Sequence, residues 1–391
     1  MYASAPTISA EGVLKTVNSL RQDGMAASFC FGTGSTPFSG KQCWVYAVCF
    51  PDESMWAVRV PVHIRHLSLE TVGSTIEEEA STLKSLEQCG FAWSPRLVGY
   101  CSGSDGPLAF PYIVSTWIRG IPLQWTENIP CRENRDKLLG QLGKILMQLA
   151  ECSQSPSTGI DAVTFLTNII DRKLTRVLRG LLPELTPQSC LVQRALIRRT
   201  FSPTADPNII SHEDLDPSNI IVDEDYNVQG IIDWGFARRL PLQYAVKFPR
   251  FLSIEPCGSD ECIPVDIAEF SSALFRPNPT LQIDRRTYTS HILPVASESA
   301  RINDAPLKRI TLSILSNHNA DWRRLLFESV SSKGLHRWMD DRQWLLPGMR
   351  NAPVDLDTLL SIISDEMIMF SEKMTALGVD FEDKTLFDAI Q

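Results

Sequence analysis

The sequence predicts an α+β protein with two lobes, a small sheet-containing N-terminal lobe and a larger, mainly helical C-terminal lobe. Its 391 residues correspond to two domains at roughly 150 residues each. Strand-like segments separated by turn residues fill the first part, and helical periodicity dominates from about Gly120. We therefore expect an N-terminal helical extension over residues 1–24, the small lobe over 25–118 and the large lobe over 119–391.

The small lobe combines one hairpin with a helix and two further strands. Turn residues at 51–54 separate the two strands of the hairpin, and Val13, Leu14, Val17 and Leu20 have helical spacing. The N-terminal extension is predicted as a helix over Ala10–Gln22, and the small lobe as strands over Cys43–Phe50 and Met55–Val62, a helix over Thr75–Cys89, and strands over Pro95–Cys101 and Tyr112–Ile118.

The large lobe is predicted from amphipathic helical stretches that a strand-rich segment over Ile209–Ala237 interrupts. The segment Pro277–Pro306 has turn residues and no clear period, which predicts a surface loop. The predicted helices are Arg135–Cys152, Phe165–Leu182, Ala320–Val330 and Leu356–Ala376.

Charge, hydropathy and cysteine spacing exclude several classes of protein. The 46 acidic residues exceed the 37 basic ones, and the net charge of −9 argues against a nucleic-acid-binding protein. No run approaches the ~18 apolar residues of a membrane span, and the N-terminus lacks the pattern of a secretory signal. The ten cysteines are scattered without a Cys-x-x-Cys pair, which predicts reduced thiols and a cytoplasmic location.

The segment with the clearest chemistry is the predicted loop and hairpin over residues 210–237. Strands at Ile220–Val222 and Gly230–Ile232 flank an acidic turn, so the hairpin brings Asn219 and Asp233 together, with Asp214 on the loop leading in. Seven acids and no Lys or Arg lie between residues 212 and 233. The acids of the turn are expected to be solvated, whereas Mg²⁺ bound by oxygens of Asn219 and Asp233 would compensate charge beside the strands.

The pattern His-x-Asp-Leu-x-Pro-x-Asn, followed by a strand, a turn and Ile-Ile-Asp-Trp, resembles the aminoglycoside phosphotransferase family. That family shares the protein-kinase fold, and the sequence of this segment looks most like its large fungal branch. The resemblance implies an ATP- and Mg²⁺-dependent phosphotransferase that acts on a hydroxyl group of a small molecule. It also implies Asp214 as catalytic base, Asn219 and Asp233 as metal ligands, and His212 as a brace for the loop.

Upstream segments resemble the nucleotide site of the same family. Arg59 occupies the strand position where most kinase-like enzymes have a phosphate-contacting Lys, and the register of Leu83 and Leu86 selects Glu79 as its partner. Gly40 falls on the phosphate-covering loop. Arg59 as an exposed strand residue, and the stretch from Gly32 to Gly40 as a flexible connection, remain open alternatives.

The resemblance further implies that Ser115 and Trp117 belong to the strand and hinge that hold adenine, although Trp117 in the core is an equal alternative. The sequence departs from the family pattern in three places, which leaves room for a weakened or repurposed enzyme. Asp216 stands where many relatives carry His, Gly235 stands where many have Glu, and the phosphate loop is degenerate. A pseudokinase and a carboxylate-activating enzyme are therefore kept as alternatives. The expected partners are a nucleotide and a small-molecule acceptor of undetermined identity, with no nucleic acid and no membrane.

Overall fold

The computed structural model describes residues 8–31, 36–40, 43–61, 68–155, 160–203, 207–253, 279–292, 306–316, 320–341, 344 and 356–379. The chain forms two compact units. The first comprises Met1–Ser153 and Ile210–Arg239, and the second comprises Gln154–Ile209 and Leu240–Gln391. All the residues singled out above for chemistry lie in the first unit.

The first unit contains an antiparallel sheet, three long helices and the predicted hairpin. Its elements are α1 (Ala10–Leu20), β1 (Ser28–Phe29), β2 (Phe38–Ser39), β3 (Cys43–Cys49), β4 (Met55–Pro61), α2 (Leu69–Gln88), β5 (Leu97–Cys101), β6 (Tyr112–Thr116), β7 (Ile121–Pro122), α3 (Arg132–Cys152), β9 (Ile220–Val222) and β10 (Val228–Ile231). Strand β8 (Asn208–Ser211) precedes the loop that carries Asp214, and β11 (Arg238–Pro241) follows the turn after Asp233.

The sheet has the strand order β1-β3-β4-β6-β5, with β2 also paired to β3. Val58 and Val60 of β4 are buried in one cluster with Val13 and Val17 of α1. Because successive side chains of a strand point to opposite faces, Arg59 projects from the face opposite α1. The strand pattern therefore places a cation between two core valines and aims it away from their cluster.

Helix α2 presents an apolar face that includes one acid. Its buried positions are Val72, Gly73, Ile76, Glu79, Ala80, Leu83 and Leu86, which follow helical spacing. The neighbouring Glu77 and Glu78 are exposed, so the register chosen for Glu79 is confirmed. The helix begins earlier than predicted, because the side chain of Ser68 caps it by accepting a hydrogen bond of 3.1 Å from the Thr71 N–H.

The hairpin β9–β10 pairs with β7 to form a second small sheet. Asp223 at its turn does more than face solvent, contrary to the expectation. Its carboxylate accepts hydrogen bonds from the backbone N–H groups of Asp225 (3.0 Å) and Asn227 (2.8 Å), and the bonds to Asn227 lower its pKa. Asp223 thus stabilises the turn that sets the register of the hairpin.

The second unit is mainly helical, and one cluster of buried apolar side chains joins five of its helices. Its helices are α4 (Ala162–Leu178), α5 (Pro187–Thr200), α6 (Leu242–Ala245), α7 (Pro279–Ser290), α8 (Pro306–Leu315), α9 (Ala320–Ser331), α10 (Lys333–Asp340) and α11 (Leu356–Ala376). In the described part of the chain, no helix has the length and apolar character needed to cross a membrane.

The predicted surface loop over Pro277–Pro306 is wrong in its first half, where α7 forms. Only two of the described residues of α7, Asp284 and Tyr288, are buried, so no apolar stripe marks the helix. A bidentate ion pair from Arg285 to Asp321, with distances of 2.6 and 2.8 Å, holds α7 instead. Periodicity of apolar residues cannot detect a helix that is anchored by a polar contact.

Candidate functional site

The guanidinium of Arg59 on β4 contacts the carboxylate of Glu79 on α2 through its Nη2 atom. The two side chains are only 18% and 6% exposed. The ion pair predicted from the sequence is therefore present, and the alternative of Arg59 as an exposed strand residue is wrong. What the pair binds stays a prediction.

Arg59 also contacts a third residue that the sequence did not connect with it. Its Nη1 atom donates a hydrogen bond of 2.7 Å to Oδ1 of Asp233, which lies 174 positions further along the chain. One cation is thus shared between two carboxylates, which the planar fork of arginine permits. We call Arg59, Glu79 and Asp233 the charged cluster.

Burial and mutual attraction oppose each other in the charged cluster. Burial disfavours the charged guanidinium, but the carboxylates of Glu79 and Asp233 outweigh it and the pKa of Arg59 is raised. Burial also raises the pKa of Glu79; Arg59 opposes this rise, while the negative charge of Asp233 adds to it. The cluster therefore has two acids and one base. A further cation would neutralise the negative charge that is left over.

Asp233 reaches Arg59 because the turn after β10 has an unusual backbone. Asp233 has a φ of +64° and a ψ of +60°, in the left-handed region, which Asp tolerates better than most residues. The buried side chain of Trp234 anchors the turn. It is 1% exposed, and its Nε1 donates a hydrogen bond of 2.8 Å to the Ile231 carbonyl. The buried indole thus fixes the backbone that presents the carboxylate.

Gly235 passes close to the charged cluster. A Cβ atom at this position would lie 3.2 Å from Arg59 Nη2 and 3.4 Å from Glu79 Oε2. A side chain here would therefore press on the ion pair unless the long side chains moved. The departure at Gly235, noted from the sequence, gives the Arg59–Glu79 pair the room it occupies.

Asp214 and Asn219 lie on one loop that closes on itself. The Asn219 Nδ2 atom donates to the Asp214 carbonyl oxygen at 2.9 Å and lies 3.5 Å from the Asp214 Oδ2 atom. The backbone N–H of Asp216 also donates to the Asp214 carbonyl, at 2.9 Å. These bonds fix the amide of Asn219 with its nitrogen toward Asp214, so that its oxygen is the atom left for a cation.

One backbone hydrogen bond joins this loop to the charged cluster. The N–H of Ile232 donates to the carbonyl of Asn219 at 2.9 Å, immediately before Asp233. The hairpin therefore brings the backbone of the two predicted metal ligands together, as the sequence predicted. Their role as ligands stays a prediction.

His212 braces the loop in the way the resemblance implied. It is buried, its Nε2 donates to the Ile232 carbonyl at 2.9 Å, and its ring packs edge-on against Trp234 at 4.7 Å. Because a carbonyl only accepts, the Nε2 atom carries the proton. Burial lowers the pKa of His212, which favours a neutral ring.

Gly40 lies at the turn of the β2–β3 hairpin, where its N–H donates to the Cys43 carbonyl at 2.9 Å. A Cβ atom on Gly40 would lie 3.2 Å from that same oxygen, so a side chain would crowd the turn. The preceding residues 32–35 of the glycine-rich stretch lie outside the described residues.

Ser115 and Trp117 lie at the end of β6, which pairs with β4. Trp117 is partly exposed and packs against Phe31 (5.6 Å between ring centroids) and Phe38 (5.8 Å). Phe31 and Phe38 are themselves 58% and 46% exposed. The alternative of Trp117 as a core residue is therefore wrong, and it belongs to an exposed aromatic group.

Sequence reasoning missed Phe31 and Phe38. In the sequence Phe31 precedes the glycine-rich stretch and Phe38 lies within it, but the exposure that makes them notable is seen in the structure. Within β4, Trp56 pairs with Thr116 and Arg59 pairs with Ile113 of β6. At about 3.4 Å per residue, the aromatic group and the charged cluster are thus roughly 10 Å apart along the sheet.

Residues 67–244 match the APH family model. This model is described as a phosphotransferase enzyme family. The APH-matching segment includes Glu79, Asp214, Asn219 and Asp233, and it excludes Arg59 and Gly40, which precede it. Arg59 is nevertheless joined to the segment through both of its ion pairs.

Solved structures of phosphotransferases are remotely similar to the chain, whereas no curated protein matched it. An aminoglycoside phosphotransferase from Alicyclobacillus acidocaldarius has 13% identity and a TM-score of 0.41, over 95% of this chain and 98% of that one. Macrolide 2′-phosphotransferase MphH from Brachybacterium faecium has 14% identity and a TM-score of 0.42, over 85% and 96%. The gentamicin complex of APH(2″)-IIa has 14% identity and a TM-score of 0.43, over 81% and 98%.

The predicted α+β class is confirmed, because the chain has an antiparallel sheet in its N-terminal region and a mostly helical remainder.

Proposed function

We propose that this protein is an ATP- and Mg²⁺-dependent phosphotransferase that phosphorylates a hydroxyl group of a small molecule. The observation that carries the proposal is the convergence of five residues in one compact unit. Arg59 holds Glu79 and Asp233, and one backbone hydrogen bond ties Asp233's neighbour to the loop of Asp214 and Asn219. Phosphoryl transfer needs these three kinds of group: a cation that binds phosphates, oxygen ligands for a metal ion, and a carboxylate that orients the acceptor hydroxyl.

The donor atoms at Asn219 and Asp233 fit Mg²⁺ better than a softer metal. An amide oxygen and a carboxylate are hard ligands, and Mg²⁺ is commonly bound by few protein ligands together with waters and phosphate oxygens. Among the described residues, no group of three or more His, Cys, Asp or Glu side chains is placed to hold a metal ion. Mg²⁺ bound at Asn219 and Asp233 would neutralise charge on the phosphate oxygens.

Each residue has a separate task in this proposal. Arg59, held by Glu79, orients the phosphates, and the turn at Gly40 covers them. Trp117 and Ser115, with Phe31 and Phe38 nearby, lie where the base would bind. Asp214 accepts the hydrogen bond of the acceptor hydroxyl and aligns it with the terminal phosphate. The fungal branch, the cytoplasmic location and the predicted lobe boundaries remain predictions.

The direct test is transfer itself. The protein is incubated with Mg²⁺, ATP labelled at the γ-phosphate, and a panel of hydroxyl-rich small molecules, and products are identified by label and by the mass of one added phosphoryl group. Transfer to at least one acceptor is expected. Mg²⁺-dependent ATP binding without transfer to any acceptor, and without slow hydrolysis, would instead support the pseudokinase alternative. The features that favour this second candidate are the three departures in the sequence, namely Asp216, Gly235 and the degenerate phosphate loop.

Replacement of Asp233 by Asn is expected to remove the Mg²⁺ dependence of ATP binding. The change keeps the shape of the side chain but removes the charge that attracts the cation. Calorimetric titration of ATP with and without Mg²⁺ should show a difference for the wild type and none for Asp233→Asn. Glu224→Gln, an exposed acid on the turn of the same hairpin, is the control and should behave as the wild type. An unchanged Mg²⁺ effect in Asp233→Asn would refute the metal-ligand assignment.

Glu79→Gln is expected to lower kcat/KM for the nucleotide by on the order of 10²-fold, because Arg59 is then held by Asp233 alone and shifts away from the phosphates. The neighbouring Glu78 provides a matched control, since it lies on the same helix turn but is exposed. Steady-state kinetics with varied ATP would show whether Glu78→Gln keeps the wild-type value while Glu79→Gln does not. Equal values for both variants would mean that the ion pair only supports the fold.

A further inference from the structure

We propose that Cys89 and Cys152 form a redox-sensitive dithiol, a modification site that closes to a disulfide by exchange with a low-molecular-weight disulfide. The Sγ atoms of the two residues lie 3.3 Å apart, although 63 positions separate them in the chain. Both are free thiols in the structure. The proposal does not depend on the proposed function.

Cys89 is held rigidly at the end of α2. Its N–H donates to the Ser85 carbonyl at 3.0 Å, and its thiol contacts the Leu86 carbonyl at 3.2 Å. The next two residues complete a Schellman ending: the N–H groups of Gly90, with φ of +77°, and Phe91 donate back into the last turn of the helix. The backbone of Cys89 is therefore fixed, and the contact with the Leu86 carbonyl holds its sulfur.

Cys152 is the last residue of α3, and its thiol contacts the Leu149 carbonyl at 3.6 Å. The following residue, Ser153, is 2% exposed and its N–H donates to the Leu149 carbonyl at 3.0 Å. Its hydroxyl accepts from the Ile210 N–H at 2.9 Å, and its carbonyl accepts from Arg239. Both sulfurs thus project from anchored helix ends, and little conformational freedom is lost when they bond.

The two helix ends also meet outside the thiol pair. The Nε1 atom of Trp93, in the segment after α2, donates to Oε1 of Gln148 on α3 at 3.2 Å. A disulfide has an S–S length of about 2.05 Å, so the sulfurs need to approach by roughly 1.3 Å. Since Cys89 and Cys152 are both partly exposed, a small disulfide can reach them.

The two-electron oxidation of the thiols needs no cofactor of the protein, because oxidised glutathione from solution is the oxidant. Cys89 as thiolate attacks oxidised glutathione, forms a mixed disulfide and releases one glutathione thiol. The sulfur of Cys152 then attacks Cys89, loses its proton to solvent and releases the second glutathione. Burial, and the hydrogen bond with Cys89, raise the pKa of Cys152 to about 12. Cys152 is therefore assigned to the second, intramolecular step, where proximity compensates for its weak acidity.

The disulfide would join two parts of the candidate site. Glu79 lies on the helix that ends at Cys89, and Ser153, beside Cys152, holds the strand that leads to the loop of Asp214. It would also close a loop of the unfolded chain, so the oxidised protein should unfold at a higher temperature than the reduced one.

The test uses the full-length protein in buffers of stepped oxidised-to-reduced glutathione ratio. Free thiols are then blocked, and the peptides are mapped by mass spectrometry. The wild type should give a Cys89–Cys152 cross-linked peptide and a raised unfolding midpoint, both reversed by reductant. Cys152→Ser should stop at the mixed disulfide and accumulate glutathione on Cys89, whereas Cys89→Ser should give neither product. Cys131 is an exposed cysteine that immediately precedes α3, at the opposite end of the helix from Cys152. Cys131→Ser should therefore behave as the wild type.

The proposal is overturned if the folded wild type, checked by circular dichroism, yields no Cys89–Cys152 peptide while other cysteines become oxidised. It is also overturned if wild type and Cys152→Ser accumulate the same glutathione adduct on Cys89, because the second thiol would then take no part. Cys89→Ala provides a second variant should the serine substitution impair folding.

Discussion

Asp214→Asn is expected to lose on the order of 10²–10⁴-fold in turnover, because positioned proton acceptance contributes an effect of that size. The amide keeps the shape of the carboxylate but accepts hydrogen bonds more weakly. The carbonyl of Asp214, which receives the hydrogen bonds from Asn219 and Asp216, is unaffected by the change. The loop should therefore keep its conformation, and ATP affinity should stay within a few-fold of the wild type.

Two measurements separate the base from a structural residue. Calorimetry with Mg²⁺ and ATP reports binding, while turnover of an identified acceptor, or slow ATP hydrolysis in its absence, reports the chemical step. Glu224→Gln on the same hairpin should leave both unchanged, since Glu224 is exposed. Wild-type turnover in Asp214→Asn would refute the assignment of Asp214 as the base.

Arg194→Met is expected to lower the free energy of unfolding by ~3–5 kcal/mol, the effect of removing one partner from a buried ion pair. Arg194 on α5 is 3% exposed and links Asp171 on α4, at 2.9 Å from its Nε atom, with Glu366 on α11. Methionine has a similar volume but no charge. Without the guanidinium, Glu366 keeps its 3.4 Å contact with Arg198 among the described residues, and Asp171 keeps Lys373.

Arg198→Met is the matched control for this prediction. Arg198 lies one helix turn after Arg194 and shares Glu366, but it is 38% exposed. Because Arg198 is partly exposed and Glu366 keeps its contact with Arg194 when Arg198 is replaced, this variant should lose only about 0–1 kcal/mol and unfold close to the wild type. Chemical unfolding followed by circular dichroism gives both values. If the two variants lost equal stability, the buried ion pairs of Arg194 would contribute no more than surface ones.

The residues near Asp214 and Asp233 could be predicted because their chemistry is local. Twenty residues carry the loop, the hairpin and both metal-ligand candidates, so turn chemistry and strand alternation are enough to bring them together. The choice of Glu79 over Glu77 and Glu78 followed from the helical register of α2 in the same way, and the structure confirmed it.

Helices stabilised by polar residues were harder to predict. Helix α5 buries Ser189, Gln193 and Arg194 among its apolar residues, and α7 is held by Arg285 and Asp321. Apolar periodicity is the main signal of an amphipathic helix, and buried polar residues interrupt it. Whether such residues are buried depends on partners in other helices, which a local pattern does not contain.

The sequence by itself determined the α+β class and the hairpin that brings Asn219 and Asp233 together, and its resemblance to a known family implied the pairing of Arg59 with Glu79. Only the tertiary structure decided that Asp233 shares Arg59 with Glu79, that Phe31 and Phe38 surround Trp117, and that Cys89 meets Cys152. The physical reason is the range of each interaction. Turns, registers and strand alternation follow from neighbouring residues, whereas contacts between distant segments arise only when the whole core packs.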